Sequence, residues 1–363
     1  MTTADNNTPT PSLKGRLIAL GVGLVLLLGL SEIVLRIAMP DWRDFYSGWF
    51  MTAEYVPNYT RVATGIAGFD GYFAQNNGDF RVKIRINDFG LRDNEAVDKS
   101  NGRIWVVGDS MTFGWGVEEN ERYSNLLAGE LGQPTYNIAS PGTDVCGYQS
   151  LLARMPNTVR PKAVVMGLIL ENDIADYDCK QLAVRHKKQF DEGYQQQGRA
   201  NGWLEIKRFL TAHTAIYNFI AVSLKRVDII RNILTSLNII KPTLTYKNPL
   251  QGKQQFDKSV DATVREIKRF QSMLPASTPF IVLIAPGRFE LKNNDALYKK
   301  LRLAIRDKLE SVGIPAVDPY PGFEKAGYEA THFAHDGHWK PLGHRIAARA
   351  ITKAMRQQGL VNP

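Results

Sequence analysis

Four short segments of the chain carry residue types that together could perform acyl transfer. Ser110 ends an apolar run in RIWVVGDSMTFGWGV, and NIASPG follows at 137–142. Farther along come LENDIAD, with Asn172, and HFAHDGHWKPLGH, with Asp336 and His338. Acyl transfer from an ester needs a hydroxyl nucleophile, a base that takes its proton and a carboxylate that orients the base. Ser110, His338 and Asp336 have these three chemistries.

The same reaction needs hydrogen-bond donors for the oxygen that becomes negative in the tetrahedral intermediate. The backbone amides of Ser110 and Gly142 and the side-chain amide of Asn172 could supply three donors. Each of these residues follows an apolar, strand-like run. Residues at the carboxyl ends of parallel strands share one crevice, and the sequence therefore predicts that they meet there.

An alternation of strand and helix patterns begins near Asn101 and would build that crevice. The predicted strands are Ile104–Val107, Thr135–Ile138, Ala163–Ile169, Phe280–Ile284 and Ile314–Val317. The predicted helices include Ser124–Leu131, Val264–Leu274, Tyr298–Val312 and Gly343–Met355. Such alternation is typical of an α/β fold whose parallel sheet is covered by helices on both faces.

The four segments resemble the characteristic blocks of the SGNH (GDSL-type) hydrolase superfamily, over about residues 101–363. The resemblance implies a three-layer, flavodoxin-like α/β domain with a five-stranded parallel sheet, and ester or acyl-transfer chemistry. It also implies roles for five residues. Ser110 would be the nucleophile, His338 the base and Asp336 the acid that orients it. Ser110, Gly142 and Asn172 would form the oxyanion hole.

The last block departs from the commonest family spacing, because Asp336 and His338 are separated by one residue instead of two. The Asp-x-His-Trp form is similar to relatives that O-acetylate exopolysaccharides such as alginate. It leaves open whether Asp336 is the orienting acid.

The primary expectation is a serine-dependent hydrolase of acyl esters, acetyl esters first, at the cell envelope. The alternatives are an O-acyltransferase to a polysaccharide hydroxyl and a non-catalytic protein that binds an envelope polymer.

Two other chemistries are weaker. Four histidines crowd the last block: His332, His335, His338 and His344. Their spacing matches no zinc motif, and a metal site would leave Ser110 and Asn172 without a role. Cys146 has no base placed for it as a nucleophile. We find no convincing nucleotide, flavin or metal motif and expect no cofactor. The expected substrate is an acylated carbohydrate or a small ester.

The N-terminus predicts a membrane anchor. A tail over residues 1–16 ends in Lys14 and Arg16, and Leu17–Met39 is long enough to span a bilayer. Cleavage of a signal peptide after Ala38 would place Arg36 where a small residue is needed, so an uncleaved anchor is favoured. The preceding positive charges predict a single-pass protein of the inner (cytoplasmic) membrane, with its N-terminus inside and its catalytic domain periplasmic or extracellular.

The remaining chain divides into a juxtamembrane region with a β-hairpin (40–100) and the catalytic domain (101–363), which contains a basic helical insertion at about 180–261. Between Lys180 and Phe270 there are 17 Lys and Arg against 7 Asp and Glu, which accounts for the net charge of +9. The insertion predicts a cap or a membrane-facing lobe. No recognisable motif accompanies the charge, so nucleic acid is not an expected partner.

A second apolar stretch, Phe209–Leu224, would put Ser110 and His338 on opposite sides of the membrane if it spanned the bilayer, and we therefore predict that it does not. Cys146 and Cys179 fit an oxidising compartment and could form one disulfide, although the sequence cannot show that they meet.

Overall fold

A computed structural model describes residues 12–45, 50–75, 78–191, 202–237 and 253–360. The strands are β1 Met51–Glu54, β2 Val62–Gly65, β3 Asp70–Ala74, β4 Arg81–Arg85, β5 Ile104–Val107, β6 Thr135–Asn137, β7 Ala163–Ile169, β8 Phe280–Ala285 and β9 Ala316–Val317. The first seven helices are α1 Leu13–Ala38, α2 Ser110–Phe113, α3 Tyr123–Leu131, α4 Val145–Arg154, α5 Cys179–Asp191, α6 Gly202–His213 and α7 Ala215–Arg226. The others are α8 Asp228–Ser236, α9 Lys253–Ser272, α10 Arg288–Asn293, α11 Ala296–Ser311, α12 Tyr320–Ala326, α13 Tyr328–Thr331 and α14 Pro341–Gln357.

The central sheet has the strand order β6-β5-β7-β8-β9, and its strands are all parallel. Successive residues of a strand point to opposite faces, and β5 shows this directly. Trp105 and Val107 join the apolar core that contains residues of α4, α9 and α11, whereas Ile104 and Val106 join the core that contains residues of α3 and α14. The predicted three-layer α/β fold with a five-stranded parallel sheet is confirmed.

Most predicted element boundaries lie within two residues of the observed ones. The largest shortening is at the last strand, where only Ala316 and Val317 pair with β8. Pro315 precedes them and accepts a hydrogen bond from the Val282 amide at 2.9 Å, but it has no N–H to donate. One helix is longer than predicted, because it begins at Lys253 instead of Val264. Residues 253–261, which were predicted as the end of the insertion, therefore belong to this helix.

The region before the sheet forms two antiparallel hairpins. One is formed by β3 and β4, in the region where a hairpin was predicted, and its alternating residues Phe80, Val82, Ile84 and Ile86 are buried. Its turn sequence, NNG at 76–78, is typical of hairpins but lies partly outside the described residues. The hairpin of β1 and β2 was not predicted. Side chains from this region pack with Phe113 of α2 in a third apolar cluster, which attaches the hairpins beside Ser110.

Within the insertion the structure describes α5–α8, and residues 192–201 and 238–252 lie outside the described part. The apolar stretch Phe209–Leu224 is divided between α6 and α7, with Thr214 between them in an extended conformation. Neither helix is long enough to cross a bilayer. Among the described residues, α1 is the one helix that is long and apolar enough to be a candidate span.

Candidate functional site

Ser110 lies directly beyond the carboxyl end of β5, as the first residue of α2. Asp109 is the N-cap of α2, and its Oδ1 accepts a hydrogen bond from the Met111 amide at 2.9 Å. The turn requires glycine at 108, because a Cβ there would lie 2.1 Å from Thr112 Oγ1 and 3.0 Å from the Gly167 carbonyl oxygen. Ser110 is therefore presented on a tightly packed turn between a strand and a helix.

His338 lies against Ser110, with its Nε2 2.8 Å from the serine Oγ. Its Nδ1 makes a short hydrogen bond to Asp336 Oδ1, and its backbone amide donates to the same oxygen at 3.3 Å. The structure thus brings together the three residues predicted as nucleophile, base and orienting acid. One intervening residue is enough for this contact, so the short Asp-x-His spacing does not separate Asp336 from His338.

The ionisation of Asp336 suits this arrangement. Burial by itself would raise the pKa of its carboxyl group, but the neighbouring His338 and hydrogen bonds from His338 and Gln75 outweigh burial and lower the pKa. An ionised Asp336 accepts a hydrogen bond from the N–H at His338 Nδ1. The lone pair of the neutral imidazole is then on Nε2, where it can accept the hydroxyl proton of Ser110.

The β3–β4 hairpin holds the loop that carries Asp336 and His338. Gln75 Nε2 donates a short hydrogen bond to Asp336 Oδ2. Asp79 accepts from the His335 backbone amide at 2.8 Å and contacts His335 Nδ1 at 2.7 Å. Neither residue belongs to the four segments that carry the predicted site. Both flank a turn signal in a hairpin, but nothing local connects them with residues more than 250 positions later.

Asn172 follows β7 and is exposed toward solvent. Its Nδ2 donates to Asp109 Oδ2 at 3.0 Å. An amide nitrogen carries two hydrogens, so this bond orients the group and leaves a second N–H. Asp109 therefore orients both the first turn of α2 and the side chain of Asn172, a role that the sequence analysis missed although the residue lies within the serine segment.

The loop that carries Gly142 lies next to the serine turn, because the Ser140 amide donates to the Gly108 carbonyl at 3.1 Å. Gly142 is exposed and has a φ of +70°, a left-handed conformation that favours glycine. A Cβ built at this position meets no atom within 4 Å, so its backbone conformation, rather than crowding, explains the glycine. Its role as an oxyanion donor stays a prediction.

Two further acids lie beneath the site. Burial is the main cause that raises the pKa of Asp109. Burial, with Asp109 as the next cause, raises the pKa of Asp173 well above its usual range. Asp173 Oδ2 accepts from the Ile169 amide at 2.6 Å and from the Tyr148 hydroxyl at 2.8 Å. Of the three acids, Asp336 alone has a lowered pKa, which makes it the one suited to stabilise a charged His338.

The four clustered histidines have separate partners. His332 Nδ1 lies 2.9 Å from Thr331 Oγ1, and His344 Nδ1 accepts from the Tyr123 amide at 3.3 Å. His335 contacts Asp79, and His338 contacts Asp336 and Ser110. Within the described residues no three His, Cys, Asp or Glu form a group that could hold a metal ion.

Cys146 and Cys179 form a disulfide, with their Cα atoms 5.2 Å apart. Cys146 lies in the first turn of α4, and Cys179 is the first residue of α5. The bond therefore joins α5 to α4, a helix that shares an apolar core with the central sheet. Both residues are disulfide-bonded and buried, so Cys146 has no thiol with which to act as a nucleophile.

Among the comparisons of the chain with known proteins, those with solved structures gave matches. No protein-family model matches the chain. No curated protein matches it either. Solved structures that resemble it include a lipolytic protein of the G-D-S-L family from Veillonella parvula (12% identity, TM-score 0.38, covering 70% of this chain and 98% of that one). Another is a carbohydrate esterase family 2 enzyme from Corynascus (16% identity, TM-score 0.41, covering 71% and 67%).

A family two carbohydrate esterase from Clostridium thermocellum, solved with cellohexaose, also resembles the chain (12% identity, TM-score 0.39, covering 72% and 65%). At these identities and TM-scores, function has to be argued from the site itself.

Proposed function

We propose that this protein is a serine-dependent hydrolase of acyl esters, with acetyl esters as the first substrates to test. One observation carries the proposal: the hydrogen-bonded chain from Ser110 Oγ through His338 to Asp336, located where β5 ends. A structural serine or histidine needs no such chain. The chain provides a nucleophile, a base on the correct ring nitrogen and an ionised acid behind it.

In the proposed reaction, Ser110 Oγ attacks the ester carbonyl carbon while its proton moves to His338 Nε2. The tetrahedral intermediate collapses when the imidazolium returns that proton to the leaving alcohol, which yields an acyl-serine. His338 then takes a proton from water, and the resulting hydroxide attacks the acyl carbon. Collapse of the second intermediate releases the carboxylic acid and returns the proton to Ser110.

Three donors would stabilise the intermediate oxygen: the backbone amides of Ser110 and Gly142 and the free N–H of Asn172. The bond from Asn172 to Asp109 supports this assignment, because an amide already oriented by a buried acid loses little freedom when it binds the oxyanion. Trp115 packs beside His338, with ring centroids 6.0 Å apart, and would form an apolar wall of the site.

Transfer of the acyl group to a sugar hydroxyl shares every step up to the acyl-enzyme, and it remains the alternative to hydrolysis. The tryptophan of the Asp-x-His-Trp segment adds no support for it. Trp339 is buried, and it packs against Phe323, Tyr123 and His344 instead of lining the cleft. No observation therefore favours a sugar acceptor over water.

We further propose that α1 anchors the enzyme in the inner membrane, with Lys14 and Arg16 on the cytoplasmic side and the catalytic domain outside. Two observations support this. No residue of α1 is buried against the protein, although the helix is highly apolar. The disulfide between Cys146 and Cys179 is typical of an oxidising compartment.

The test uses the full chain in nanodiscs. We would measure hydrolysis of 4-nitrophenyl acetate and labelling by a fluorophosphonate probe for the wild type, Ser110→Ala and the control Ser311→Ala, whose hydroxyl lies on the exposed end of α11. We expect loss of both signals in Ser110→Ala alone. A folded wild type that neither hydrolyses the ester nor reacts with the probe would contradict the proposed ester hydrolysis. It would support the alternative of a non-catalytic protein that binds a polymer.

A further inference from the structure

An ion pair on α1 holds the corner between α6 and α7. Glu32 accepts hydrogen bonds from the amides of Ala215 and Ile216, at 2.8 and 2.9 Å, in the first turn of α7. Arg36 donates to the carbonyl of His213, the last residue of α6, at 2.8 Å, and it also pairs with Glu32. These backbone groups have no partner within their own helices. The anchor helix thus caps both helices at their shared corner.

The position of Glu32 and Arg36 along α1 determines how deep in the bilayer the corner between α6 and α7 lies. The uncharged segment Leu17–Leu30 is 14 residues, or about 21 Å, long, and Glu32 lies about 3 Å beyond its end. Measured along the helix from Leu17, Glu32 and Arg36 lie at about 23 and about 29 Å, which places them in the outer part of a hydrocarbon core about 30 Å thick and at its boundary with the headgroups. Asn218 of α7 also donates to the Trp42 carbonyl at 3.0 Å, so the chain that leaves the anchor packs on the same helix.

The helices held at this depth expose apolar side chains. On α8 and the residue after it, Ile229, Ile233 and Leu237 recur every four residues and are 73%, 53% and 63% exposed. On α6, Ile206 and Phe209 are 51% and 60% exposed. Residues spaced in this way lie on one face of a helix. A face of this kind in water is unfavourable unless something covers it.

The charge of this segment indicates what covers it. Residues 202–237 contain five basic residues (Lys207, Arg208, Lys225, Arg226 and Arg231) and two acidic ones (Glu205 and Asp228). Helices with an exposed apolar face, a basic composition and a position at headgroup depth have the properties of interfacial membrane helices. Attraction to anionic lipid headgroups adds to the burial of the apolar face.

We propose that α6 and α8 lie in the outer interface of the bilayer, with their apolar side chains at the boundary between headgroups and acyl chains. This inference rests on the proposed membrane anchor and is independent of the ester hydrolase. The helices α6, α7 and α8 form a lobe that would hold the catalytic domain in one orientation relative to the membrane, because Glu32 and Arg36 join this lobe to the spanning helix.

The test is spin labelling of the full chain in nanodiscs that contain phosphatidylcholine and phosphatidylglycerol. Single cysteines replace Phe209, Ile229 or Ile233, while the native cysteines stay paired. Leu24→Cys on α1 serves as the lipid reference, and Arg349→Cys on α14, whose native side chain is 76% exposed, serves as the water reference. The measured quantity is the ratio of collisions with oxygen to collisions with a water-soluble nickel chelate.

We expect the labels at Phe209→Cys, Ile229→Cys and Ile233→Cys to resemble Leu24→Cys, with a ratio at least several-fold above that of Arg349→Cys. Ratios at these three positions equal to that of Arg349→Cys, with Leu24→Cys in lipid, would overturn the interfacial position of α6 and α8 and leave the anchor standing. If neither oxygen nor the nickel chelate reaches these labels, the apolar side chains are covered by protein instead of lipid. This result would also overturn the interfacial position. A water-exposed Leu24→Cys would refute the anchor and the lobe together. Ester hydrolysis, measured on the same samples, is independent of all these outcomes.

Discussion

The two halves of the site are built differently. Ser110 and Asn172 follow β5 and β7, neighbouring strands of the sheet, and the ladder between these strands fixes their relative positions. Asp336 and His338 lie in the segment between α13 and α14, outside every strand of the sheet. That segment is closed by local bonds, such as the 2.9 Å bond from the Phe333 amide to the His338 carbonyl.

The half of the site that contains Asp336 and His338 is held by side chains from distant parts of the chain. Gln75 contacts Asp336 across 261 positions of sequence, and Asp79 contacts His335 across 256. A strand end is positioned by many backbone hydrogen bonds, so the loss of one side chain moves it little. A loop held by a few side-chain contacts is more sensitive. Mutations of the residues that surround the catalytic side chains should therefore disturb the histidine half more than the serine half.

The largest effect is expected at His338 and Asp336. His338→Gln removes the base, and Asp336→Asn favours the imidazole tautomer with its proton on Nε2, facing Ser110. We expect kcat for 4-nitrophenyl acetate to fall by about 10⁶ in His338→Gln and by about 10⁴ in Asp336→Asn. Asp88→Asn, at an exposed position, is the control. If Asp336→Asn kept a tenth of the wild-type rate, another acid would have to orient His338.

The next effect concerns the serine half. Asn172→Ala removes one proposed oxyanion donor and should lower kcat by about 10²–10³ with little change in KM. The exposed Asn293→Ala, on α10, should retain the wild-type rate. A rate for Asn172→Ala within threefold of the wild type would remove this residue from the oxyanion hole.

A smaller effect is expected from the hairpin contact. Gln75→Met removes the donor to Asp336, and the pKa of that carboxyl group should rise because one bond that lowers it is lost. Asp336 would then become protonated at a higher pH, so the acidic limb of kcat/KM should move to higher pH. Gln181→Met, exposed on α5, is the control. An unchanged pH profile would show that the hairpin does not tune the acid.

The smallest effect concerns stability. Burial lowers the pKa of His332 and of His344 to about 3. The unfolded chain binds protons at these residues below about pH 6.5, whereas the folded chain does not until about pH 3. Stability should therefore fall as the pH falls from 6.5 toward 3. Thermal unfolding midpoints, measured across this range, should decrease less in His332→Phe than in the wild type. Parallel curves would contradict this account.

Much of the fold could be predicted because its signals are local. Apolar runs of four to seven residues marked the strands, and alternation of strands with helices predicted a parallel sheet. The residues Ser110, Asn172, Asp336 and His338 belong to short segments whose residue types already suggest acyl chemistry. The hairpin of β1 and β2 was missed, because Met51–Glu54 is largely exposed and shows no strict alternation.

By itself, the sequence determined the alternation of strands and helices after about residue 101, the apolar N-terminal helix and the side chains capable of the chemistry, because each depends on residues close together in the chain. Only the tertiary structure decided that Cys146 meets Cys179, that Gln75 and Asp79 hold the catalytic loop, and that Glu32 and Arg36 of α1 cap the insertion helices. These contacts join residues separated by between 33 and 261 positions, and they form only after the sheet and its helices have packed.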